Sequence, residues 1–284
     1  MKGIDHLVLA GNGLDSMRDV YGGLGFTLTP RAQHPFGTGN TAIQLHGGYL
    51  ELLAVTRPED VVEPRPGQFS FSAFNRDYLA RHEGFSMLAL GTNSASAEIA
   101  KWREAGLRTY EPLDFSRMAK MPDGEERRIG FSLAYTSTPA APWLGHFACQ
   151  HHAPEYFAQP QYQEHANTAR AIRDVWISGD GVFGLSDHLR AFIGGAGTVE
   201  APGRIAFRTP RGTVVLADAA SFRAAFGVAP PHPQDGPHLA GFTIDCASLE
   251  AFAGRGLAAV GERLVLPPER GFGASIGFAK QEHG

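Results

Sequence analysis

The first part of the chain alternates between short apolar runs and glycine-rich turns. An apolar, strand-like run at residues 4–9 is followed by an amphipathic stretch at 14–22, which leads into Gly23 and Gly25. A turn-rich segment at 36–40 then precedes a second apolar run at 49–53. The second stretch has the apolar spacing of a helix, the short apolar runs are typical of strands, and the glycines mark turns between them. Together they predict the order strand, helix, strand, strand, strand.

The same order returns three more times along the chain. The predicted copies begin near Phe85, Ile172 and His238, and the last is predicted to contain a helix over 248–255. We therefore predict an α+β protein of four βαβββ modules. The predicted boundaries are 1–56 and 84–152 with a connector at 57–83, a linker at 153–170, and two shorter modules at 171–218 and 237–284.

Composition narrows the possible partners and locations. The chain is 43% hydrophobic and 19% charged, which is typical of a folded globular protein. Its formal net charge of −4 provides no basic surface for nucleic acid. The sequence contains no apolar run long enough to span a membrane, and its first residues enter a strand directly. We expect a cytoplasmic protein with no nucleic-acid or membrane partner.

Two predicted strands each carry a potential metal ligand in a mostly apolar run. His6 lies in the first strand and Glu51 in the fourth. Burying an unpaired polar group is costly, so such residues need partners or a function. Asn40, in the intervening glycine-flanked turn, is expected to form the turn rather than to bind a ligand.

Three segments resemble a known superfamily. The His6 strand, the Gly37-Thr38-x-Asn40 turn and Tyr49-Leu50-Glu51-Leu52 are similar to the vicinal-oxygen-chelate superfamily, and most closely to its glyoxalase-like branch. The resemblance implies that modules pair into two bowl-shaped mixed sheets around cavities. It also implies a divalent metal (Fe, Zn, Mn or Ni), bound by a histidine of the first strand and a glutamate of the fourth, which here are His6 and Glu51.

The third metal ligand is predicted by aligning the copies. Matching Gly25 with Gly256 places His238 of the fourth module where His6 stands in the first. This alignment predicts that the first and last modules pair, and that His6, Glu51 and His238 form a two-histidine, one-carboxylate site. Against it, the fourth module has no carboxylate that mirrors Glu51.

The linker offers competing candidates. His151 and His152 are neighbours, so in a strand only one of them can point into the cavity. We predict that His152 and His165, together with Glu51, are catalytic, because histidine titrates nearest neutrality. The alternative is that these histidines fasten the linker to the sheet by hydrogen bonds. Arg117, ahead of a predicted hairpin turn, could reach an anionic substrate or lie in solvent.

The predicted function is a metal-dependent lyase, isomerase or dioxygenase that acts on a small organic substrate bound through vicinal oxygens. The alternative is a metal-free protein that binds or sequesters a small molecule, as the drug-sequestering members of the same superfamily do. Fold alone does not separate these two functions. A homodimer is one expected assembly.

Overall fold

The computed structural model describes residues 2–121 and 123–281. The fold is mixed α+β, with a seventeen-stranded sheet and few helices. The first half of the chain contains β1 (Ile4–Ala10), α1 (Leu14–Gly23), β2 (Ala32–Gln33), β3 (Thr38–Leu45), β4 (Gly48–Val55), α2 (Phe71–Leu79), β5 (Gly84–Gly91), α3 (Ala95–Glu104), β6 (Arg108–Thr109), β7 (Leu113–Lys120), β8 (Glu126–Ser137) and β9 (Gly145–His151).

The linker and the second half repeat this pattern with shorter strands. They contain α4 (Pro154–Phe157), β10 (Ala169–Ser178), α5 (Ser186–Ile193), β11 (Thr198–Ala201), β12 (Arg204–Arg208), β13 (Thr213–Ala217), α6 (Ala219–Phe226), β14 (His238–Cys246), β15 (Ala258–Val260), β16 (Arg263–Leu266) and β17 (Ser275–Lys280).

Strand pairing joins neighbouring segments of the chain. β1 runs parallel to β4 and antiparallel to β5, and β5 runs parallel to β9. In the second half, β10 is parallel to β13 and antiparallel to β14, which is parallel to β17. The prediction that the first and last modules pair is therefore wrong. The alignment of Gly25 with Gly256 compared spacings along the chain, and such spacings do not determine which strands pair in the sheet.

The predicted helix at 248–255 is reduced to one 3₁₀ turn, Glu250–Phe252. Gly254 and Gly256 follow with φ angles of 73° and 67°, in the left-handed region that ends helices. Phe252 is buried in the core, so this short turn still fills the place of the predicted helix.

Alternation along the strands divides the interior into layers. Leu7 and Leu9 of β1 pack into a large core with α1, α3 and α5, and this core includes residues of both halves. Trp102 of α3 donates its indole N–H to the carbonyl of Phe192 in α5, at 3.3 Å. Val8 belongs to a separate cluster on the opposite, inner face of the first half. Because side chains alternate in a strand, His6 also lies on this inner face.

Among residues 2–121 and 123–281, no helix combines the length and apolar character needed to cross a membrane.

Candidate active site and metal centre

A small pocket lies on the inner face of the first half. Its volume is about 30 Å³, roughly the share of one water molecule in the liquid. His6, Glu51 and Arg117 are among its polar residues. Its apolar wall contains six phenylalanine rings: Phe36, Phe71, Phe115, Phe131, Phe147 and Phe157.

Parallel pairing of β1 with β4 brings His6 and Glu51 together. The register sets Val8 opposite Glu51 and His6 opposite Tyr49, whose ring stacks on the imidazole with centroids 4.3 Å apart. His6 Nε2 lies 3.8 Å from Glu51 Oε2. Both side chains are buried, with 3% and 5% of their residue surface exposed. They therefore share one pocket, as expected from their strands.

His34, which the sequence argument missed, approaches Glu51 from the other side. Its Nε2 lies 3.7 Å from Glu51 Oε1, and its Nδ1 hydrogen-bonds Thr38 Oγ1 at 2.9 Å. The two-residue strand β2 pairs with β3 and the turn at Gly37, with φ 89°, folds His34 back over the sheet. The available signal was a histidine in the same glycine-turned hairpin as Asn40.

Asp5 fixes the orientation of His6. Its Oδ2 accepts hydrogen bonds from His6 Nδ1 at 2.7 Å and from His151 Nε2 at 3.1 Å. Burial would raise the pKa of Asp5, but the hydrogen bonds and positive charges of His151 and His6 outweigh it and hold that pKa well below its usual range. A carboxylate on Nδ1 sets the tautomer and leaves the Nε2 lone pair for a ligand.

Glu51 is oriented by Asn40, whose Nδ2 donates to Oε1 at 2.5 Å. Asn40 lies in β3 and is thus more than the turn former expected from the sequence. Burial raises the pKa of Glu51, although His6, Asn40 and Arg117 act in the opposite direction. A cation bound beside Glu51 would favour its charged form.

His6 could join two different donor sets. On its Nδ1 side, ligand atoms of Asp5, His6 and Cys149 all lie within 4.8 Å of one another. However, burial raises the pKa of the Cys149 thiol well above its ordinary value, helped by Asp5 and Glu51. A metal binds the thiolate form of cysteine, whereas the raised pKa favours the thiol, so this donor set is poorly suited to metal binding.

The Nε2 side of His6 offers better donors. Burial, followed by the charges of Arg117 and His6, lowers the pKa of His34 to about 3, so its imidazole is neutral. Two imidazole Nε2 atoms and one carboxylate suit a divalent transition metal with open positions. Bonds of about 2.1 Å place adjacent ligand atoms roughly 3 Å apart. The separations of 3.8 and 3.7 Å, which run to different oxygens of Glu51, would therefore have to shorten, and the three residues do not offer one ligand atom each within 4.8 Å of one another.

The structure does not bring His238 to this pocket. His238 begins β14, which pairs with β10 rather than with β1. Its Nδ1 donates to the carbonyl of Gly236 at 2.9 Å. The second histidine that the structure places near Glu51 is therefore His34 and not His238.

His152 and His165 also lie outside the pocket, which corrects their predicted catalytic placement. His152 is exposed and hydrogen-bonds Ser132 Oγ at 2.8 Å, because alternation in β9 turns His151 inward instead. His165 accepts from the backbone N–H of Thr27 at 3.0 Å and donates to the carbonyl of Gln44 at 2.8 Å. His165 therefore fastens the linker, which was the alternative interpretation.

Arg117 lines the pocket rather than lying free in solvent. Its Nε is buried and has no hydrogen-bond partner within residues 2–121 and 123–281. Burial lowers the pKa of Arg117, opposed by Glu51 and Tyr49. An arginine stays charged in proteins, so the Nε of this guanidinium offers an unpaired donor to an anionic oxygen.

The linker closes the mouth of the pocket. Gln44 Nε2 donates to the carbonyl of Phe157 at 2.7 Å, and the N–H of Gln159 donates to Gln44 Oε1 at 2.9 Å. The side chain of Phe157 separates the pocket from two neighbouring surface grooves, each of which it also lines. We call residues 154–159 the strap.

Comparison with known proteins agrees with this architecture. The family model described as "Glyoxalase-like domain" matches residues 4–183. The chain belongs to the glyoxalase-like domain family. This membership, and the fold, place it in the vicinal-oxygen-chelate superfamily, as the sequence resemblance implied. No curated protein matches the sequence.

Several solved structures share the fold along almost the whole chain. A hypothetical protein from Staphylococcus aureus has a TM-score of 0.73 at 15% identity, covering 99% of this chain and 100% of its own. A mutant 4-hydroxymandelate synthase from Streptomyces coelicolor has a TM-score of 0.56 at 12% identity, with coverage of 100% and 94%. The Mn(II)-bound glyoxalase from Novosphingobium aromaticivorans has a TM-score of 0.55 at 9% identity, with coverage of 99% and 83%. At these identities the likeness concerns the fold alone.

Proposed function

We propose that this member of the family is a metal-dependent enzyme that binds one divalent cation through His6, His34 and Glu51. The observation that carries the proposal is the approach of two imidazole Nε2 atoms to the two oxygens of one buried carboxylate, at 3.8 and 3.7 Å. Each imidazole is held through its Nδ1, by Asp5 and by Thr38 respectively. Fe, Zn, Mn and Ni all accept such a donor set.

The proposed substrate is a small organic molecule with two neighbouring oxygens, at least one of them anionic. When bound, the metal would act as a Lewis acid on these oxygens. Arg117 then stabilises negative charge on the substrate, because its buried Nε is a donor without a partner within residues 2–121 and 123–281. The six phenylalanine rings exclude water and strengthen these electrostatic contacts. The reaction is that of a lyase, an isomerase or a dioxygenase.

Substrate entry requires the strap to move. The pocket of about 30 Å³ is too small for an organic molecule, and Phe157 separates it from open grooves. Displacing the Phe157 ring joins these spaces. Gln44 limits that displacement, since it hydrogen-bonds the strap at both Phe157 and Gln159.

Metal-free binding of a small molecule is the alternative function. It is favoured by the raised pKa of Glu51, which favours the neutral carboxylic acid in a pocket with a mainly aromatic lining. The two functions differ in whether the donor set binds a metal tightly.

The deciding experiment is elemental analysis of protein purified without chelator. We expect bound metal in the wild type, and loss of one equivalent in Glu51→Gln and in His34→Ala. His152→Ala is the matched control, because it removes an exposed histidine outside the pocket. Retention of the metal by both pocket variants would reject this donor set. A wild-type protein that binds no added metal but binds aromatic acids would support sequestration instead.

A further inference from the structure

A second group of metal-binding side chains lies outside the pocket. His82 follows α2, whereas His232 and Asp235 belong to the proline-rich loop at 230–237 that leads into β14. The ligand atoms of these three residues all lie within 4.8 Å of one another. His82 and His232 also line a cleft of about 1070 Å³ that is formed by residues from both halves.

The three side chains present their ligand atoms side by side. His82 Nδ1 hydrogen-bonds the carbonyl of Glu83 at 3.1 Å, and its Nε2 lies 3.2 Å from Asp235 Oδ2. The ring of His232 stacks on that of His82 with centroids 4.1 Å apart and planes 7° apart. A histidine that binds a metal through one ring nitrogen usually donates the N–H of the other to a carbonyl or carboxylate, and the carbonyl beside Nδ1 of His82 provides such a partner.

The loop holds His232 in an unusual conformation. Its φ is 44°, in the left-handed region that a residue other than glycine rarely adopts. Pro231 and Pro233 flank it and restrict the backbone. Such strain persists where the surroundings impose it, and it is frequent at ligand-binding sites.

His238 adds an independent observation. The loop places His232, Asp235 and His238 at intervals of three residues. His238 Nε2 is buried without a hydrogen-bond partner within residues 2–121 and 123–281. Burial lowers the pKa of His238, and His82 and His232 are close enough to contribute. A buried nitrogen without a hydrogen-bond partner therefore lies near the cluster, outside the 4.8 Å that separates the other three ligand atoms.

We propose that His82, His232 and Asp235 bind a second divalent metal ion, of the borderline class that includes Zn(II), with His238 Nε2 as a fourth donor. Two or three imidazoles with one carboxylate suit Zn(II) in tetrahedral geometry. With bonds of about 2.0 Å the ligand atoms lie roughly 3.3 Å apart, and the half-buried side chain of His232 can rotate to reach this spacing.

Arg81 leaves one oxygen of Asp235 for the metal. Its Nη2 donates to Asp235 Oδ1 at 2.6 Å, and its guanidinium stacks over Trp143 at 4.5 Å. The ion therefore takes Oδ2, which His82 already approaches. Because His82 belongs to the first half and the loop to the second, the ion joins the two halves of the chain.

The test uses full-length protein in which Glu51→Gln has disabled the pocket site. After removal of metal, Zn(II) is titrated by calorimetry and bound zinc is counted by elemental analysis. We expect one equivalent at micromolar affinity. His232→Ala and His82→Gln should each weaken binding by at least about tenfold, whereas His152→Ala should not change it.

Thermal unfolding gives a second readout. Zn(II) should raise the melting temperature of the Glu51→Gln protein and should have no effect once His232→Ala is added. Because His232 is only half-buried and lies in a loop, its replacement should leave the fold intact. Absence of binding at millimolar Zn(II) would overturn the proposal. So would equal binding by the His232→Ala and His152→Ala proteins, since the zinc would then be held by scattered surface histidines.

Discussion

One helix packs on the inner face of each half, α2 in the first half and α6 in the second. The two faces differ in whether a pocket remains beside the helix. In the first half, α2 contributes Phe71 to one wall of a pocket that retains polar groups. In the second half, Phe222 and Phe226 of α6 are fully buried against Trp176. Gly241 allows this close contact, because a Cβ at that position would lie 3.2 Å from the Phe226 ring. The same strand pairing thus supports a cavity in one half and a filled core in the other.

Polar residues of the two inner faces differ in the same way. Asp174 in β10 accepts from Trp176 Nε1 at 2.7 Å and pairs with Arg263 at 3.3 Å. In the first half, Glu51 has a raised pKa and Arg117 has a buried Nε without a partner. Buried groups with a perturbed pKa or without a partner are frequent at functional sites, whereas Asp174 has its hydrogen-bonding and ionic partners. On the inner faces, the pocket residues of the first half are therefore the candidates for catalysis, although Arg204 Nε and Ser275 Oγ of the second half are also buried without a hydrogen-bond partner within residues 2–121 and 123–281.

The largest expected effect tests the filled core. Phe226→Ala should destabilise the protein by about 3–5 kcal/mol, because it opens a cavity in a packed interior. Phe157→Ala, at the strap, should cost much less, since that ring is partly exposed and already borders open space. Urea unfolding of both variants makes the comparison. Equal losses would mean that the two faces are packed alike.

Asp5→Asn tests the hydrogen-bonded support of the site. Each charge-assisted hydrogen bond contributes about 1.5–3 kcal/mol, and Asp5 accepts two, from His6 and His151. Metal affinity should fall about 10–100-fold because the His6 tautomer is released. The folded pKa of Asp5 is lowered, so its contribution is present above its unfolded pKa of about 3.9 and is lost as pH falls towards the folded value. Asp174→Asn is the control, and it should leave bound metal unchanged.

Glu51→Gln is expected to stabilise the metal-free protein at neutral pH. The folded pKa of Glu51 is raised, so its contribution is fully present below its unfolded pKa of about 4.3 and is lost as pH rises through the folded value. The glutamine side chain does not ionise and so avoids that loss. The free energy of unfolding should therefore rise by about 1–3 kcal/mol at neutral pH. Unfolding in chelator at pH 5 and pH 8 measures it. A variant that is less stable at both pH values would show that Glu51 is not strained in the metal-free state.

The smallest effect concerns the strap. Gln44→Ala removes two hydrogen bonds, to Phe157 and Gln159, each contributing about 0.5–1.5 kcal/mol. Amide exchange within residues 154–159 should accelerate about tenfold, with little change in global stability. Loss of metal to a chelator should also be faster. Unchanged exchange would mean that the strap is held by packing of Phe157 alone.

The order of strands and helix in the first module, and two residues of the candidate site, could be predicted from the sequence. His6 and Glu51 were recognisable because each lies in a mostly apolar strand, where burying an unpaired polar side chain is costly. Alternation in a strand also predicted that only one of His151 and His152 turns inward, but it did not decide which one. A shift of one residue reverses the face.

The rest depended on contacts between distant segments. His34 lies beside the two-residue strand β2, which has no periodic pattern of its own. His238 matched His6 in spacing, but strand pairing placed it with β10. His165 lies 121 residues from the Gln44 carbonyl that it contacts. Tertiary packing, which no local pattern encodes, decided each of these cases.

The pairing of β5 with strands of both halves affects any attempt to produce the two halves as separate fragments. It pairs with β1 and β9 along its length and touches β14 where Phe85 lies opposite Leu239. A fragment that ends in the linker would uncover this strand end, together with the indole of Trp102 that α5 normally covers. Uncovered strand edges recruit other chains. Each half made alone should therefore aggregate, and soluble protein should return only when both fragments are synthesised in the same cell.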